Sequence, residues 1–236
     1  QLDCMHCHTS SGRYRFKNEK FNDACMPCHE DRVKNAAAHT HHKADSTGNR
    51  CIACHMPMTS FASMNRTDHS MLPPAPAATI AYKSPNACNI CHADKDAAWS
   101  DAFVRKWRTR DYQAPVLSRA ALIDAARKRD WSKLPAMLDY ITGTGRDEIF
   151  ATSLIRLSAH SGDPRIVPAL LKAIKDPSPV VRAAAAEALQ GVPTKEAARA
   201  LVEAAGDNYR LVRVRAAASL AGLKDLPANE AEKQAV

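Results

Sequence analysis

Large aliphatic side chains are scarce in the first hundred residues of this 236-residue chain, which contain only six leucine, isoleucine or valine residues. So few cannot build an ordinary apolar core, which excludes an all-protein core over residues 1–100. No hydrophobic run approaches the roughly 20 residues of a membrane-spanning helix, so no transmembrane segment is expected. The rest of the chain holds most of the aliphatic side chains and can form a core of its own.

The first hundred residues are nevertheless not predicted to be disordered. Their charges nearly balance, with 11 lysines and arginines against 9 aspartates and glutamates, and they hold all eight cysteines. The cysteines form four C-x-x-C pairs, each followed at once by histidine: Cys4-Met5-His6-Cys7-His8, Cys25-Met26-Pro27-Cys28-His29, Cys51-Ile52-Ala53-Cys54-His55 and Cys88-Asn89-Ile90-Cys91-His92. This is the attachment motif of c-type haem.

The spacing of the motif has a chemical cause. Two thiols three positions apart reach the two vinyl groups of the porphyrin and form thioether bonds, while the adjacent histidine is held where its imidazole binds iron. We therefore expect four haem c groups that pack on one another and replace the missing apolar core. The expected covalent attachment residues are Cys4, Cys7, Cys25, Cys28, Cys51, Cys54, Cys88 and Cys91, and the expected proximal iron ligands are His8, His29, His55 and His92.

Three alternatives explain fewer features of the motifs. Zinc ribbons use C-x-x-C pairs without needing a histidine after each second cysteine. A disulfide framework leaves that histidine unexplained. A thioredoxin-type pair opens a helix in a βαβ unit, and no such pattern is present in the sequence.

Distal iron ligands are sought among the remaining histidines, because four more are needed if every iron is six-coordinate. On an extended segment His41 and His42 point to opposite sides, whereas on a helix His39 and His42 share a face. We favour His39 and His42, with His41 as a substitute, over a solvated histidine-rich loop that binds stray metal. His69 is a further candidate, which Asp68 would orient.

Methionine is the other potential axial ligand. Met64 and Met71 follow no distinguishing pattern, and packing is their expected role. Bis-histidine ligation is therefore expected, which gives lower potentials than His/Met ligation and leaves no open position for a substrate. These properties describe an electron carrier better than a catalyst.

Four segments carry a family resemblance, at residues 39–48, 51–57, 68–70 and 84–92. They resemble one group of multihaem c-type cytochromes, in which a cytochrome c554-like haem module is followed by tetratricopeptide or HEAT-type helical repeats. The resemblance covers about residues 1–110 and implies that the His39–His42 cluster and His69 supply distal ligands. Members of the group usually carry further haem motifs upstream, so one distal ligand could come from outside this chain.

The second half of the chain contains an internal repeat. Three residues of one copy recur 31 positions later, namely Asp176, Arg182 and Leu189 as Asp207, Arg213 and Leu220. A short helix pair with this period is typical of an α-solenoid, and we expect the HEAT-like type with about three to four helix pairs. The repeated aspartates are expected to be helix N-caps. A plain helical bundle is the alternative.

The predicted fold class is mainly α. The expected parts are an irregular tetrahaem module with little regular secondary structure at residues 1–100, a connecting helix or linker at 101–114, and a HEAT-like α-solenoid at 115–236. Trp99, Phe103 and Trp107 are spaced by four residues, which indicates a helix that packs the solenoid onto the haem module.

The formal charge of +8 does not indicate nucleic-acid binding, because the propionates of four haems would offset between half and all of it. The solenoid keeps a dispersed basic surplus that would suit an acidic redox partner. Haem c is attached outside the cytoplasm, so we expect a periplasmic or extracellular protein of a bacterium or archaeon, secreted with a signal peptide that has been removed.

The resulting expectation is an electron-transfer protein, not an enzyme, whose solenoid is a docking scaffold. Its partners would be a redox donor and acceptor, with other cytochrome subunits in a homo-oligomer, conduit or filament. Two rival functions are kept. A multihaem reductase of a nitrogen or sulfur oxyanion would need one five-coordinate haem with acid/base groups nearby. A structural subunit would use the solenoid to organise a larger redox complex.

Overall fold

The computed structural model describes residues 3–17 and 20–222, without the side chain of Phe61. The chain divides into two units, Gln1–Val116 and Leu117–Val236. Within the described residues there are fourteen α-helices and a single two-stranded sheet, so the protein is mainly helical. The predicted solenoid extends to residue 236, and its last part, 223–236, lies outside the described residues.

The first unit consists of short helices joined by irregular segments, in keeping with its few aliphatic residues. Its helices are α1 (Cys4–Cys7), α2 (Glu30–Lys34), α3 (Ala36–Thr40), α4 (Cys51–His55), α5 (Pro76–Tyr82), α6 (Cys88–Cys91) and α7 (Ala97–Trp107). Strands β1 (Met58–Phe61) and β2 (Met64–Thr67) form an antiparallel hairpin between α4 and α5. Helix α7 packs along α5 and also contacts α6.

The second unit is built from longer helices. The division between the units falls within α8 (Ala114–Arg127). The helices that follow are α9 (Leu134–Thr142), α10 (Glu148–Ser158), α11 (Ile166–Ala173), α12 (Pro179–Ala188), α13 (Lys195–Ala205) and α14 (Arg210–Ala221). Proline in the first turn of α9, and again of α12, suits helix starts, because its missing amide hydrogen has no partner there.

The helices of the second unit stack as two layers. Helices α10, α12 and α14 pack side by side in one layer, while α9 and α11 pack together in the other. Helix α13 packs on α14, and α11 on α12, so the two layers are joined by successive helix pairs. The arrangement is the solenoid that the 31-residue repeat predicts.

An apolar core runs through the second unit. Its largest fully buried aliphatic side chains are Leu134, Met137, Ile141, Leu154, Ile155, Leu170, Leu189, Leu201, Val181 and Val212. Alanines from α12 lie between them, which brings neighbouring helices close together. Burying each large side chain contributes about 1.5–3 kcal/mol, so this unit is held together by ordinary hydrophobic packing.

The repeated aspartates are not helix N-caps, so that prediction is wrong. Ser178 is the N-cap residue of α12, and its amide donates to Asp176, two positions earlier, at 2.9 Å. Asp176 also pairs with Arg146 of the preceding repeat. In the next repeat Asp207 accepts two hydrogen bonds from Arg182 at 2.8 and 3.0 Å. The aspartates therefore close the turn before each helix and join successive repeats.

Candidate functional site

The first, third and fourth C-x-x-C-H motifs form the helices α1, α4 and α6, whereas the second is a turn in which Met26 is extended. In three of them the amide of the histidine donates to the carbonyl of the first cysteine: His8 to Cys4 at 2.9 Å, His29 to Cys25 at 3.0 Å and His92 to Cys88 at 3.0 Å. The third motif in the chain forms α4 itself. Residues three and four apart share one face of a helix. Each of the three helical motifs therefore carries its two thiols and its imidazole on one side, as attachment of a single porphyrin requires.

Two polar side chains outside the motifs hold the first and the fourth motif in place. Neither was predicted from the sequence. Asp3 caps α1 by accepting hydrogen bonds from the amides of Met5 at 2.8 Å and His6 at 3.1 Å. Asn86, which is buried, accepts one from the amide of Cys88 at 3.0 Å. Aspartate or asparagine just before a short helix is a known capping pattern, so a local signal for both was present.

Asn22 joins the second motif to the third. Its side-chain oxygen accepts a hydrogen bond from the amide of Cys51 at 3.0 Å, and its amide group donates to the carbonyl of Asn49 at 2.9 Å. Because these partners lie 27 and 29 positions away, no local pattern in the sequence predicts the contact.

The thiols of successive motifs lie close enough to perturb one another. A hydrogen bond between Cys25 and Cys51 lowers the pKa of Cys51 to about 7 and raises that of Cys25. Burial raises the pKa of Cys54 to about 11, with further contributions from the neighbouring Cys88 and Cys91. The second motif therefore lies beside the third, and the third beside the fourth.

Three motif histidines face three of the histidines predicted as distal ligands. The ring centroids are 6.2 Å apart for His8 and His69, 6.4 Å for His39 and His55, and 6.2 Å for His42 and His92. The ring planes are inclined by 30°, 14° and 32° in the same order. Each pair therefore joins a motif histidine to a histidine from elsewhere in the unit, across a gap.

The gap between the paired rings fits a metal ion bound to both. Metal–nitrogen bonds to histidine are about 2.0–2.1 Å long, so a metal between two Nε2 atoms places the ring centroids about 6 Å apart. The observed separations of 6.2 to 6.4 Å agree with this value. Within residues 3–17 and 20–222, no three His, Cys, Asp or Glu side chains surround one metal position. Each facing pair could therefore supply two axial imidazoles to one metal ion.

Hydrogen bonds at Nδ1 orient three of the paired rings. Nδ1 lies 3.0 Å from a carbonyl in His8, 2.9 Å in His42 and 2.8 Å in His69, the carbonyls being those of Gly12, Thr40 and Thr67. A carbonyl can only accept, so each Nδ1 carries a proton, which leaves Nε2 as the nitrogen available to a metal, as in known metal-binding histidines. His39 differs, because its buried Nδ1 has no hydrogen-bond partner among the described residues.

The imidazoles of the facing pair His39 and His55 are held in their neutral form. Burial, followed by the positive charge of Arg108, lowers the pKa of His39 to about 4. Burial also lowers the pKa of His55, against an opposing effect of hydrogen bonds with the backbone of Met71 and Leu72. Both imidazoles are therefore unprotonated at neutral pH, which is the form that binds a metal.

Two predicted ligands are placed differently from the other six. His29 is exposed, and no aromatic ring contacts it in the part of the chain that the structure describes. His41 stacks on Trp107, with ring centroids 4.4 Å apart and planes inclined by 17°. His6, which lies inside the first motif, places its Nε2 3.1 Å from the carbonyl of Ala24 beside the second motif.

The aromatic row of α7 packs on the histidines of the first unit. Trp99 contacts the ring of His92 at 4.9 Å and that of Phe103 at 4.8 Å. Phe103 contacts Trp107 at 5.3 Å, and Trp107 continues to His41. The four-residue spacing predicted a helix correctly, but its contacts with the histidines were not anticipated.

Comparison with known proteins finds similarity in the second unit. Residues 134–221 match the family of HEAT repeats. The chain as a whole matches no curated protein. None of the helices within residues 3–17 and 20–222 has the length and apolar character needed to cross a membrane. The second unit is thus a helical solenoid similar to HEAT repeats.

Proposed function

We propose that the protein is a multihaem c-type cytochrome that transfers electrons through four covalently attached haem c groups. The observation that carries the proposal is the facing of motif and distal histidines at 6.2 to 6.4 Å in three pairs. The three helical motifs that carry two thiols and an imidazole on one side support it independently.

The residues of the chain act by holding and orienting the cofactors. Each motif fixes one porphyrin through two thioether bonds, and the paired histidines close both axial positions of three irons. Haem iron ligated in this way supplies one-electron redox chemistry at comparatively low potential. With both axial positions filled by protein, no site for a substrate is left at these three positions, which favours electron transfer over catalysis.

The close succession of the motifs supports transfer between cofactors. The sulfur atoms of Cys25 and Cys51 are neighbours, as are those of Cys54, Cys88 and Cys91. Porphyrins attached at such neighbouring positions lie side by side, so electrons need not cross long stretches of polypeptide. They also provide the apolar material that the first unit otherwise has in small amount.

The solenoid is assigned the role of a docking and assembly scaffold. HEAT-type solenoids present extended surfaces to partners. Residues 115–236 carry 18 lysines and arginines against 14 aspartates and glutamates, a surplus of +4 that suits an acidic redox donor or acceptor. Other cytochrome subunits are further proposed partners. Because haem c is attached outside the cytoplasm, we place the protein in the periplasm or outside the cell.

Spectroscopy tests this proposal directly. Optical and electron paramagnetic resonance spectra of the native protein are expected to contain low-spin haem at three positions, and redox titration to reveal low midpoint potentials. His69→Ala should convert one haem to high spin, because it removes the histidine facing His8. A protein without haem absorption, or a His69→Ala variant with an unchanged spin state, would contradict the proposal.

The exposed His29 favours a second candidate function. A haem bound at this motif would have no second histidine from the described residues, so its iron could take an external ligand. That is the arrangement expected of a reductase for a small nitrogen or sulfur oxyanion, although a histidine from another polypeptide would also complete it. Carbon monoxide binding to one reduced haem in four, with turnover of nitrite, hydroxylamine or sulfite, would support the reductase. Carbon monoxide binding without turnover would favour the carrier.

A further inference from the structure

A four-residue turn, His39 to His42, faces two different haem-attachment motifs. His39 lies opposite His55 of the third motif, and His42 lies opposite His92 of the fourth. Between them His41 ends α3 in the left-handed conformation, with φ of 58°. That conformation breaks the helix after His39 and sends His42 in another direction. One short turn thereby reaches two motifs that are 37 positions apart in the sequence.

The end of α7 holds this turn from one side. Trp107 stacks on His41 at 4.4 Å, and Nη2 of the next residue, Arg108, donates to the carbonyl of His39 at 2.8 Å. An arginine hydrogen bond to a carbonyl is charge-assisted and therefore stronger than a neutral one. The same helix contacts His92 through Trp99. Helix α7 thus contacts both the turn and the motif histidine that the turn faces.

Asn49 holds the turn from the other side. This residue is buried, with 7% of its surface exposed. Its side-chain oxygen accepts a hydrogen bond from the hydroxyl of Thr40 at 2.5 Å, and its amide group donates to the carbonyl of Lys43 at 2.5 Å. Asn49 stands two residues before Cys51, so the turn is tied directly to the third motif.

Gly48 leaves the space that the ring of His42 occupies. A Cβ atom at this position would lie 2.4 Å from Cδ2 and 2.9 Å from Nε2 of His42. Separations below 3.0 Å are not found for real Cβ atoms, so any larger residue must displace the ring. The absence of a side chain at Gly48 is therefore a requirement of the orientation of His42.

We propose that Trp107 and Arg108 are positioning residues that set the second axial ligands of two haems together, through the turn from His39 to His42, and that Gly48 positions the ring of His42. The inference rests on the proposed function and adds a coupling to it. A change at the end of α7 acts on the third and fourth haems as a pair. The first haem, whose distal ligand His69 lies outside the turn, is not affected.

Trp107→Ala tests the shared control of two haems. We expect the electron paramagnetic resonance signals and midpoint potentials of two haems in four to change, while mass spectrometry of the intact variant still finds four haems. Trp107→Phe, which keeps an aromatic ring against His41, should restore most of the wild-type signals. Trp131→Ala in the second unit is the matched control and should leave the spectrum unchanged.

Gly48→Ala tests the turn from its other side and affects one haem. The displaced His42 ring should leave its iron, so one haem in four becomes high spin and binds cyanide or carbon monoxide. Gly191→Ala is the control, because nothing lies within 4 Å of a Cβ at that position.

The outcomes separate this inference from the proposed function. Four haems in the wild type, with Trp107→Ala and Gly48→Ala spectra identical to it, would overturn the inference alone. A change confined to one haem in Trp107→Ala would also overturn it, because the coupling would be absent. A wild-type protein without haem would overturn the proposed function and the inference with it.

Discussion

The two units of this protein differ in the side chains that form their interiors. In the second unit the buried side chains are leucine, isoleucine, valine and methionine, with alanine between helices. In the first unit the buried hydrophobic side chains among the described residues are small, namely Ala24, Ala77, Ala78, Ala87 and Val104. Since burial free energy scales with apolar area, the second unit can fold by itself, whereas the first needs material that its own side chains do not provide.

Polar contacts stabilise the first unit to a greater extent than they stabilise the second unit. Buried asparagines, a capping aspartate and hydrogen-bonded histidines fix short turns in place. Such groups specify a geometry well, but each net hydrogen bond contributes only about 0.5–1.5 kcal/mol. This difference is what the proposed role of the first unit as a frame for cofactors requires, while the second unit is an ordinary solenoid.

Removing every attachment site should have the largest effect and should act on one unit only. With all eight cysteines replaced by serine in the full chain, we expect the first unit to unfold, because its apolar interior is lost. Limited proteolysis should digest residues 3–116 and leave a fragment that contains residues 134–221. Circular dichroism should retain the helical signal of the solenoid. A first unit that resists the protease without haem would contradict the conclusion that this unit depends on haem for its interior.

A cavity in the solenoid should destabilise the second unit and leave the first unit unchanged. Leu154 is fully buried in α10, so Leu154→Ala is expected to reduce the free energy of unfolding of the second unit by about 2–5 kcal/mol. Denaturant unfolding followed by circular dichroism measures the loss, while haem absorbance should remain at the wild-type value. Val202→Ala is the control, because that side chain is 63% exposed. Equal losses in the two variants would rule out the assigned core.

The ion pair between repeats should give the solenoid a specific acid sensitivity. The hydrogen bonds from Arg182 lower the pKa of Asp207 below its ordinary value. The ion pair therefore contributes its full stabilisation above about pH 4. This stabilisation is lost as the pH falls through the lowered pKa that Asp207 has in the folded state. Asp207→Asn should cost about 1–2 kcal/mol at neutral pH and flatten the acid decline. An unchanged decline in denaturation midpoint between pH 5 and pH 2 would contradict this role.

Helix caps should have the smallest effect and should still distinguish the units. The hydroxyl of Thr194 accepts a hydrogen bond from the amide of Ala197 at the start of α13, so Thr194→Ala should cost about 1 kcal/mol. Thr194→Ser keeps the hydroxyl and serves as its control. Asp3→Ala removes the cap of α1, where under the proposed function two thioether bonds also hold the turn, so thermal unfolding should change less. A larger shift for Asp3→Ala than for Thr194→Ala would indicate that the first turn is not covalently fixed.

Local patterns in the sequence predicted much of the fold. A 31-residue shift between Asp176 and Asp207 indicated the solenoid, and residues 134–221 match HEAT repeats. The role of these aspartates was predicted wrongly, because a partner such as Arg182 lies in another repeat and leaves no local signal. A spacing pattern cannot distinguish an N-cap from an aspartate two residues earlier.

The candidate site was predictable to the extent that its chemistry is local. The C-x-x-C-H spacing identified the turns, and His39, His42 and His69 were nominated from type and position. Their orientation was not predictable, because it depends on distant groups: Arg108 binds the carbonyl of His39 across 69 positions. The space at Gly48 is likewise a property of the folded chain, since only the assembled turn brings His42 against it.

The mass of the intact protein from its native source, measured after denaturation, tests the central claim most directly. Thioether bonds survive unfolding, so the account predicts a mass that exceeds the polypeptide by four haem groups. A mass equal to that of the bare polypeptide would contradict the whole account of the first unit.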